Sequence, residues 1–265
     1  MKLSIITVNL NNAAGLEKTA ESIVSQTFTD FEWIVIDGGS TDGSVDVIRK
    51  YEDRITYWVS EKDSGIYNAM NKGVKVAKGE YLQFLNSGDC LADKNVVADF
   101  NKFNSCCSII YGDVYQIQGN RVIRKRIYGE LSFLEILVSS LSHQSSYILR
   151  DLLIRFPYNE NYKIVSDWEF WIKMILGGQK FQHFNRFVSC YDMNGISETN
   201  IALNMHERQL VFDSLVPDCI LYDYRTGKIA ELIELKRRYP IFSKFITFCT
   251  VIMNRVDKHI QKCRK

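Results

Sequence analysis

Apolar runs alternate with helical patterns through the first 110 residues of this 265-residue chain. Runs typical of buried strands occupy positions 3–8, 33–36, 55–59 and 81–85, and helical spacing separates them. Strands that alternate with helices in this way are joined by right-handed crossovers and form a mostly parallel sheet. The sequence therefore predicts an α/β fold in which helices flank the sheet.

The pattern changes after residue 110. A hairpin is predicted around 118–121, an amphipathic helix over 133–138, a short strand at 146–149 and a strong helix over 168–176. This change divides the chain into a first half built on parallel strands and a second half of mixed elements.

We expect residues 1–216 to form one domain, with 1–110 and 111–216 as its two halves. Residues 217–265 would add a C-terminal extension of amphipathic, basic helices. The segment 236–265 holds nine Lys and Arg residues and a single acid, Asp257, although the whole chain carries a net charge of only +2. A basic amphipathic helix is suited to an anionic membrane surface. Packing on the body of the protein or on a second subunit is the alternative, so a homo-oligomer stays open.

The cysteine pattern and the absence of long apolar runs limit the class of protein. The seven cysteines are scattered, odd in number and contain no C-x-x-C, which argues against a disulfide framework and against a zinc site. No run of about 18 apolar residues is present, so we expect no spanning helix. The expected location is the cytoplasm, with the basic tail on the inner face of the cytoplasmic membrane. We expect no nucleic-acid partner.

Polar residues end the first two predicted strands. Asn9 follows the first apolar run and Asp37 follows the second. The carboxyl ends of parallel strands lie side by side, where open α/β sheets bind ligands. We expect Thr7, Asn9 and Asp37 to contact a nucleobase and its ribose. The alternative for Asp37 is the capping of a turn.

A helix is predicted to begin at Gly65, directly after Asp63. Its free N–H groups and positive dipole end favour an anion. Asn71 and Lys72 lie further along the same helix, and Lys72 offers a mobile positive charge to a phosphate. In isolation, Lys72 would be an ordinary surface lysine.

The strand at 81–85 runs directly into the polar tetrad Asn86-Ser87-Gly88-Asp89. A carboxylate at this position is a hard oxygen ligand suited to Mg²⁺ or Mn²⁺, which commonly retains phosphate ligands. We expect Asp89 to bind such a metal and Asn86 to lie near the nucleotide. A simple turn is the alternative for the tetrad.

The helix near residue 168 begins with acidic and aromatic residues. Asp167 lies in its first turn and can act as a general base. Trp168 and Trp171 are three residues apart and share a face that suits a sugar ring, although tryptophans packed into the core are the alternative. His143 follows an apolar helix, where a structural histidine is the default.

Several segments that contain these residues occur in an order that resembles a known protein family. The segments SIITVNLN, SEKDSGIYNAMNKG, GEYLQFLNSGD, HQSSYILR and YNENYKIVSDWEFWIK resemble the family-2 inverting glycosyltransferases, above all the bacterial enzymes of O-antigen, capsule and exopolysaccharide synthesis. The resemblance covers roughly residues 1–195. It implies a GT-A fold, a Rossmann-like nucleotide half joined to an acceptor half.

The resemblance also implies roles for individual residues. Asp37 would contact the base or ribose, and Asp63, Asn71 and Lys72 would surround the nucleotide and its phosphates. The tetrad takes the place of the family's D-x-D motif, with Asn86 at its first position and Asp89 as the metal ligand. Asp167 would be the catalytic base. The acceptor side would include His143, Trp168 and Glu169.

The implied activity is a metal-dependent, inverting and non-processive transfer from a nucleotide-diphosphate sugar, a UDP-sugar in our reading. The acceptor would be a saccharide or an undecaprenyl-linked saccharide. Non-processive transfer is expected because the chain lacks the Q-x-x-R-W signature of processive synthases. Two alternatives remain: a sugar-nucleotide nucleotidyltransferase, and an inactive nucleotide-sugar-binding module suggested by Asn86 and Ser166.

Overall fold

A computed structural model describes residues 1–119, 121–193 and 200–226, together with Glu231 and Arg238. Apart from Arg238, the predicted basic tail at 236–265 lies outside the described residues. The chain divides into two compact units, Met1–Val211 and Phe212–Lys265. No described helix combines the length and the apolar character needed to cross a bilayer.

Nine strands of the described residues join in a single sheet. In chain order they are β1 (Leu3–Asn9), β2 (Glu32–Asp37), β3 (Tyr57–Ser60), β4 (Tyr81–Phe84), β5 (Cys90–Leu91), β6 (Ile109–Gln118), β7 (Arg121–Arg126), β8 (Ser146–Leu149) and β9 (Phe181–Asp192).

Helices lie between the strands. The described α-helices are α1 (Ala13–Val24), α2 (Ser44–Lys50), α3 (Ile66–Val76), α4 (Val96–Lys102), α5 (Phe133–Val138), α6 (Arg150–Arg155), α7 (Ser166–Leu176), α8 (Ile201–Leu215) and α9 (Asp218–Arg225). A single 3₁₀ turn, His143–Ser145, precedes β8.

The sheet has a parallel part and a mixed part. Strands β3, β2, β1 and β4 are neighbours in that order and pair in parallel. Beyond β4, the order continues with β8, β6, β9 and β5, and β7 pairs with β6. In this second part only β6 and β9 are parallel. The predicted α/β fold is confirmed, and its parallel strands belong mainly to the first half.

Burial explains why the first strands form as they do. Every residue of β1 and β2 is buried, which requires cover on both faces of the sheet and fits their continuous apolar runs. On one face, side chains of α1 and of β1, among them Leu16 and Ile5, belong to a hydrophobic core that includes Trp33 and Phe100. This packing fixes where β1, β2 and β4 end, and the functional residues follow those ends.

Two sequence predictions in the second half are confirmed, and one boundary shifts. The hairpin forms between β6 and β7, and the strand at 146–149 is β8. Helix α7 begins at Ser166, two residues before the predicted start. At this start the Ser166 hydroxyl accepts a hydrogen bond from Asn159 N at 2.6 Å, which ties the preceding loop to the first residue of the helix.

Candidate active site

The tetrad after β4 forms a turn fixed by its neighbours. Asp89 N donates to Asn86 O at 3.0 Å, and Ser87 N donates to Val8 O at 3.0 Å. Gly88 adopts a φ of 104°, a conformation that favours glycine. Thr19 of α1 holds the turn from below, since its hydroxyl accepts from Gly88 N at 3.0 Å and lies 2.7 Å from Asp89 O. The turn is therefore rigid, and it directs Asp89 inward.

The carboxylate of Asp89 is 4% exposed. Its Oδ1 accepts a hydrogen bond from Asp192 N, at the end of β9, at 3.0 Å. Burial raises the pKa of Asp89 to about 6, and the bond from Asp192 N and the nearby His143 offset only part of that effect. A buried carboxylate with a raised pKa is short of positive charge around it.

Asp167 is the centre of a hydrogen-bonded chain. His143 Nδ1 lies 2.9 Å from Asp167 Oδ2, and a carboxylate only accepts, so Nδ1 carries the proton. The other ring nitrogen, Nε2, lies 3.1 Å from Asn86 Nδ2, which donates to it. Asp167 Oδ1 accepts from Trp168 N at 2.9 Å and lies 3.0 Å from the Tyr67 hydroxyl. His143 thus links the turn after β4 to the start of α7.

The loop that precedes Asp167 is held by a buried acid from α8. Glu207 is 4% exposed, and its carboxylate accepts from Lys163 N at 2.7 Å, from Ile164 N at 2.9 Å and from Val165 N at 3.3 Å. Hydrogen bonds to a charged group are stronger than neutral ones. Glu207 therefore fixes the backbone immediately before α7.

Helix α3 braces the other side of the same loop. Asn71 Nδ2 donates to Tyr158 O at 2.8 Å and to Glu160 Oε1 at 2.9 Å, while Asn71 Oδ1 accepts from Tyr158 N at 3.0 Å. The Tyr67 hydroxyl lies 2.5 Å from Ile164 O. Hydrogen bonds from Asn71 and Asn68 lower the pKa of Glu160. The loop and α3 are thus fastened together.

The N-terminus of α3 opens beside a lysine from this loop. Gly65 precedes the helix with a φ of 135°, and Asp63 Oδ1 accepts from Gly65 N at 2.9 Å. A Cβ at Gly65 would lie 3.8 Å from Lys163 Nζ. A Cβ at Gly38 would come within 2.6 Å of Asp63 Oδ2, so glycine is needed there for the close approach. The positive end of the α3 dipole and the ammonium group of Lys163 together favour the binding of an anion.

These features surround one cavity of about 570 Å³, within the usual range for small-molecule sites. Its wall comes from the ends of β1, β4 and β9, from the start of α3 and from the loop before α7. The side chains that line the cavity include those of Asn9, Asp63, Tyr67, Asn86, Asp89, His143, Lys163, Asp167, Tyr191 and Asp192. Asp89 and Asp167 therefore belong to the same cavity.

Six of the predicted site residues line the cavity: Asn9, Asp63, Asn86, Asp89, His143 and Asp167. Their chemical roles remain predictions. Of these, His143 was expected on the acceptor side, and the structure adds its contacts with Asp167 and Asn86.

Two residues predicted to contact the nucleotide, Thr7 and Asp37, do not line the cavity, and their predicted roles remain predictions. Thr7 is fully buried, and its hydroxyl accepts from the Trp33 indole at 3.1 Å. Asp37 is also fully buried, and its carboxylate accepts from Asn9 and Ser60 side chains and from Ser40. Burial acts to raise the pKa of Asp37, but these hydrogen bonds outweigh it and the pKa is lowered. Neither side chain faces the cavity.

Asn71 and Lys72, which were also predicted to lie around the nucleotide, have partners within the protein, and their roles likewise remain predictions. Asn71 is buried and committed to the loop at 158–160, as described above. Lys72 Nζ forms an ion pair with Glu61 Oε1 at 2.7 Å. Neither residue lines the cavity, because their positions on α3 lie more than one turn past its open N-terminus.

Trp168 and Trp171 do not line the cavity, which matches the alternative that they pack into the core. Both side chains are buried, and their indole N–H groups donate to Ile136 O at 2.6 Å and Leu141 O at 3.2 Å. Glu169 does not line the cavity and pairs with Lys173 at 2.9 Å. Aromatic lining comes instead from Tyr67 and Tyr191.

Sequence reasoning missed four residues that shape the site: Tyr67, Lys163, Asp192 and Glu207. Tyr67 lies in the recognised block SGIYNAMNKG, so its place beside Asn71 was the available signal. Lys163 lies in the block YNENYKIVSDWEFWIK, so its place before Asp167 was the corresponding signal. Asp192 and Glu207 reach the site through long-range packing, and no local pattern marks them.

The residues after β4 fit a metal that arrives with a diphosphate. Asn86 Oδ1 is buried and has no hydrogen-bond partner, and the Asp89 carboxylate lies in the same turn. Amide and carboxylate oxygens suit Mg²⁺ and Mn²⁺. No group of three or more His, Cys, Asp or Glu side chains placed to hold a metal occurs in the described part of the chain. The protein thus offers few ligands, and phosphate oxygens would complete the set.

Comparison with known families identifies the class of protein that has this fold and cavity. Residues 4–165 match the family described as Glycosyl transferase family 2. The chain belongs to this family and is a glycosyltransferase. The family resemblance expected from the sequence is confirmed.

Two glycosyltransferases of Mycobacterium tuberculosis are similar to this chain over most of its length. A PGL/p-HBAD biosynthesis glycosyltransferase of Mycobacterium tuberculosis is 30% identical over 260 residues, which cover 94% of this chain and 95% of that protein. A glycosyltransferase of Mycobacterium tuberculosis without an assigned function is 33% identical over 256 residues, covering 92% and 88%.

Solved structures show the same fold. TarS of S. aureus in complex with UDP-GlcNAc superposes with a TM-score of 0.62 at 21% identity, over 72% of this chain and 58% of that one. The mannosyltransferase PcManGT of Pyrobaculum calidifontis, in complex with GDP-Man and Mn2+, gives a TM-score of 0.55 at 18% identity, over 72% and 56%. This chain thus spans little more than half of either structure.

Proposed function

We propose that this protein is a metal-dependent, inverting and non-processive glycosyltransferase that uses a UDP-sugar. The observation that carries the proposal is the shared cavity, which has Asp89 after β4 and Asp167 at the start of α7. A donor diphosphate beside Asp89 would leave its sugar to extend toward Asp167. The TarS complex with UDP-GlcNAc supports the choice of nucleotide.

In this proposal, Asp167 accepts the proton of the acceptor hydroxyl as that oxygen attacks the anomeric carbon. The bond to the nucleotide diphosphate breaks on the opposite face, so the configuration inverts. His143 N–H holds Oδ2, and Trp168 N and the Tyr67 hydroxyl contact Oδ1, which leaves the second lone pair of Oδ2 for the incoming proton. The N-terminus of α3 and Lys163 stabilise charge that develops on the diphosphate.

Asp89 and the Asn86 amide oxygen would hold Mg²⁺ or Mn²⁺, which supplies Lewis-acid stabilisation of the leaving diphosphate. The complex of PcManGT with GDP-Man and Mn2+ supports this assignment.

We propose a saccharide or a lipid-linked saccharide as the acceptor, in the synthesis of a bacterial surface glycan. The similarity to a PGL/p-HBAD biosynthesis glycosyltransferase over nearly the whole chain supports an acceptor of this kind. The proposed location is the cytoplasm, with access to lipid-linked acceptors at the inner face of the membrane.

A panel of nucleotide sugars tests the proposal. Each donor is measured for Mn²⁺-dependent binding by calorimetry and then for transfer to a lipid-linked acceptor, with the anomeric configuration of the product read by NMR. We expect one UDP-sugar to bind and transfer with inversion. Transfer with retention, or release of pyrophosphate from a sugar phosphate and a nucleoside triphosphate, would contradict the proposal.

In this proposal Lys163 is the cation for the donor phosphates, which its place in the cavity beside the start of α3 supports. We expect Lys163→Gln to weaken UDP-sugar binding about tenfold, because one charge near the diphosphate is worth roughly 1–2 kcal/mol at a partly exposed site. Titration calorimetry measures the change. Lys72→Gln is the matched control and should bind as the parent does, since Lys72 pairs with Glu61. Equal losses in both variants would contradict the assignment.

His143 acts as a positioning residue for Asp167. We expect His143→Gln to lower kcat about 10- to 100-fold with little change in the KM for the donor, because the base loses a charge-assisted hydrogen bond that orients it. Steady-state kinetics separates the two parameters. His183→Gln is the control and should keep the kcat of the parent. His183 does not line the cavity, and its Nε2 lies 2.9 Å from Asp113 Oδ1. An unchanged kcat in His143→Gln would remove this role.

A further inference from the structure

The hairpin of β6 and β7 carries exposed aliphatic side chains together with four cations, of which Lys125 lies over the Tyr115 ring and Arg126 bonds to Ser139. Val122, Ile123 and Ile127 are 52%, 55% and 68% exposed. The same arm contains Arg121, Arg124, Lys125 and Arg126, and no acid occurs between residues 119 and 129. Among the described residues, none of these four cations forms an ion pair.

We propose that this basic arm, residues 121–127, docks the enzyme on an anionic lipid bilayer. Strand β7 pairs with β6 on one side only, and its backbone and side chains extend the edge of the sheet. Interfacial binding needs positive charge near the headgroups and apolar side chains that enter the boundary with the acyl region. The arm places both within seven residues, and this inference does not depend on the transfer reaction.

A cavity beside the arm suits a lipid phosphate. It has a volume of about 210 Å³ and lies between the arm and α5. Its wall includes Arg124 and Arg126, the hydroxyl-bearing Ser139 and Ser140, and Glu135, whose carboxylate already caps α5. Guanidinium groups recognise phosphate oxygens with good geometry.

Two other occupants fit the arm less well. A second copy of β7 added at the sheet edge would bring like charges together across the strands, which is destabilising and blunts edge pairing. A soluble polyanion would use the cations but would gain nothing from Val122, Ile123 and Ile127. A bilayer uses both features.

Vesicle flotation of the full chain tests the proposal. The parent should bind vesicles of phosphatidylglycerol mixed with phosphatidylcholine, and more weakly at high salt, but not vesicles of phosphatidylcholine alone. The variant Arg121→Gln/Arg124→Gln/Lys125→Gln should show a partition coefficient lowered about 10- to 100-fold. The control is Arg49→Gln/Arg54→Gln/Lys94→Gln, which removes three exposed cations elsewhere and should lose much less.

A second variant separates a bilayer from other partners. Val122→Ser/Ile123→Ser/Ile127→Ser keeps the net charge and should also lose vesicle binding, while its binding to heparin should equal that of the parent. Equal flotation of parent and both arm variants would overturn the proposal. So would failure of the parent to bind anionic vesicles, or arm variants that alter only the monomer–dimer balance in sedimentation velocity.

Discussion

Asp167→Asn is expected to lower kcat by about 10²–10⁴-fold while donor binding stays unchanged, because the variant loses the general base and keeps the shape of the side chain. An asparagine still accepts one hydrogen bond at this position, so His143 or Trp168 N keeps a partner. The measurement combines steady-state transfer with calorimetric binding of UDP and Mn²⁺. Loss of transfer with intact binding is the expected pair of results.

The neighbouring acid provides the matched control for this experiment. Glu169 lies two residues further along α7, does not line the cavity and pairs with Lys173. Glu169→Gln should therefore keep turnover within a few-fold of the parent. If Asp167→Asn turned over as fast as Glu169→Gln, Asp167 would not be the base.

Asp89→Asn is expected to weaken Mn²⁺-dependent UDP binding roughly 100-fold or more, because the metal loses its only carboxylate ligand from the turn after β4. Binding without metal should be similar in parent and variant. Calorimetry with and without Mn²⁺ measures both, and Asp46→Ala, which changes an exposed acid of α2, is the control. Equal metal-dependent isotherms for Asp89→Asn and the parent would refute the metal role.

The raised pKa of Asp89 allows a loss of metal binding in Asp89→Asn to be distinguished from a loss of folding stability. Burial raises the pKa from 3.8 to about 6, so the folded protein holds the proton more tightly than the unfolded chain does. The charged carboxylate therefore lowers the free energy of unfolding, and this cost develops as the pH rises from about 4 to 6. At pH 7.5 without metal, the Tm of Asp89→Asn should equal or exceed that of the parent. A lower Tm would show that the asparagine disturbs the turn.

Local pattern was sufficient for the first half of the fold. The buried runs at β1 and β2 are rich in β-branched residues, and β4 is a short buried run. Each of the three is followed by polar residues at the same edge of the sheet. This edge is where Asn9, Asn86 and Asp89 meet. The positions of these residues follow from parallel pairing alone, because the carboxyl ends of neighbouring parallel strands must lie together.

The sequence did not show with the same success which face of each helix meets the cavity. The spacing of Trp168 and Trp171 shows that they share a face, but it does not show that this face is buried against α5 and the segment after it. Lys72 has the same difficulty, since its charge suits a phosphate and its position on α3 directs it to Glu61. Only the packing of each helix settles which face meets the cavity.

The long-range supports of the site had no local signal. Glu207 reaches back 42 to 44 residues to bind the backbone at 163–165, and Asp192 N reaches Asp89 across 103 positions. An isolated acid in a helix is most often exposed to solvent. Its structural role emerges only when the chain brings it to unpaired N–H groups.

A structure of the protein with UDP and Mn²⁺ tests the central claim most directly. We expect the diphosphate between Asp89 and the N-terminus of α3, within reach of Lys163, and the Asp167 carboxylate facing the open space beyond the β-phosphate where the sugar would lie. Nucleotide bound outside this cavity, or an Asp167 side chain directed away from the β-phosphate, would contradict the assignment of one shared donor site.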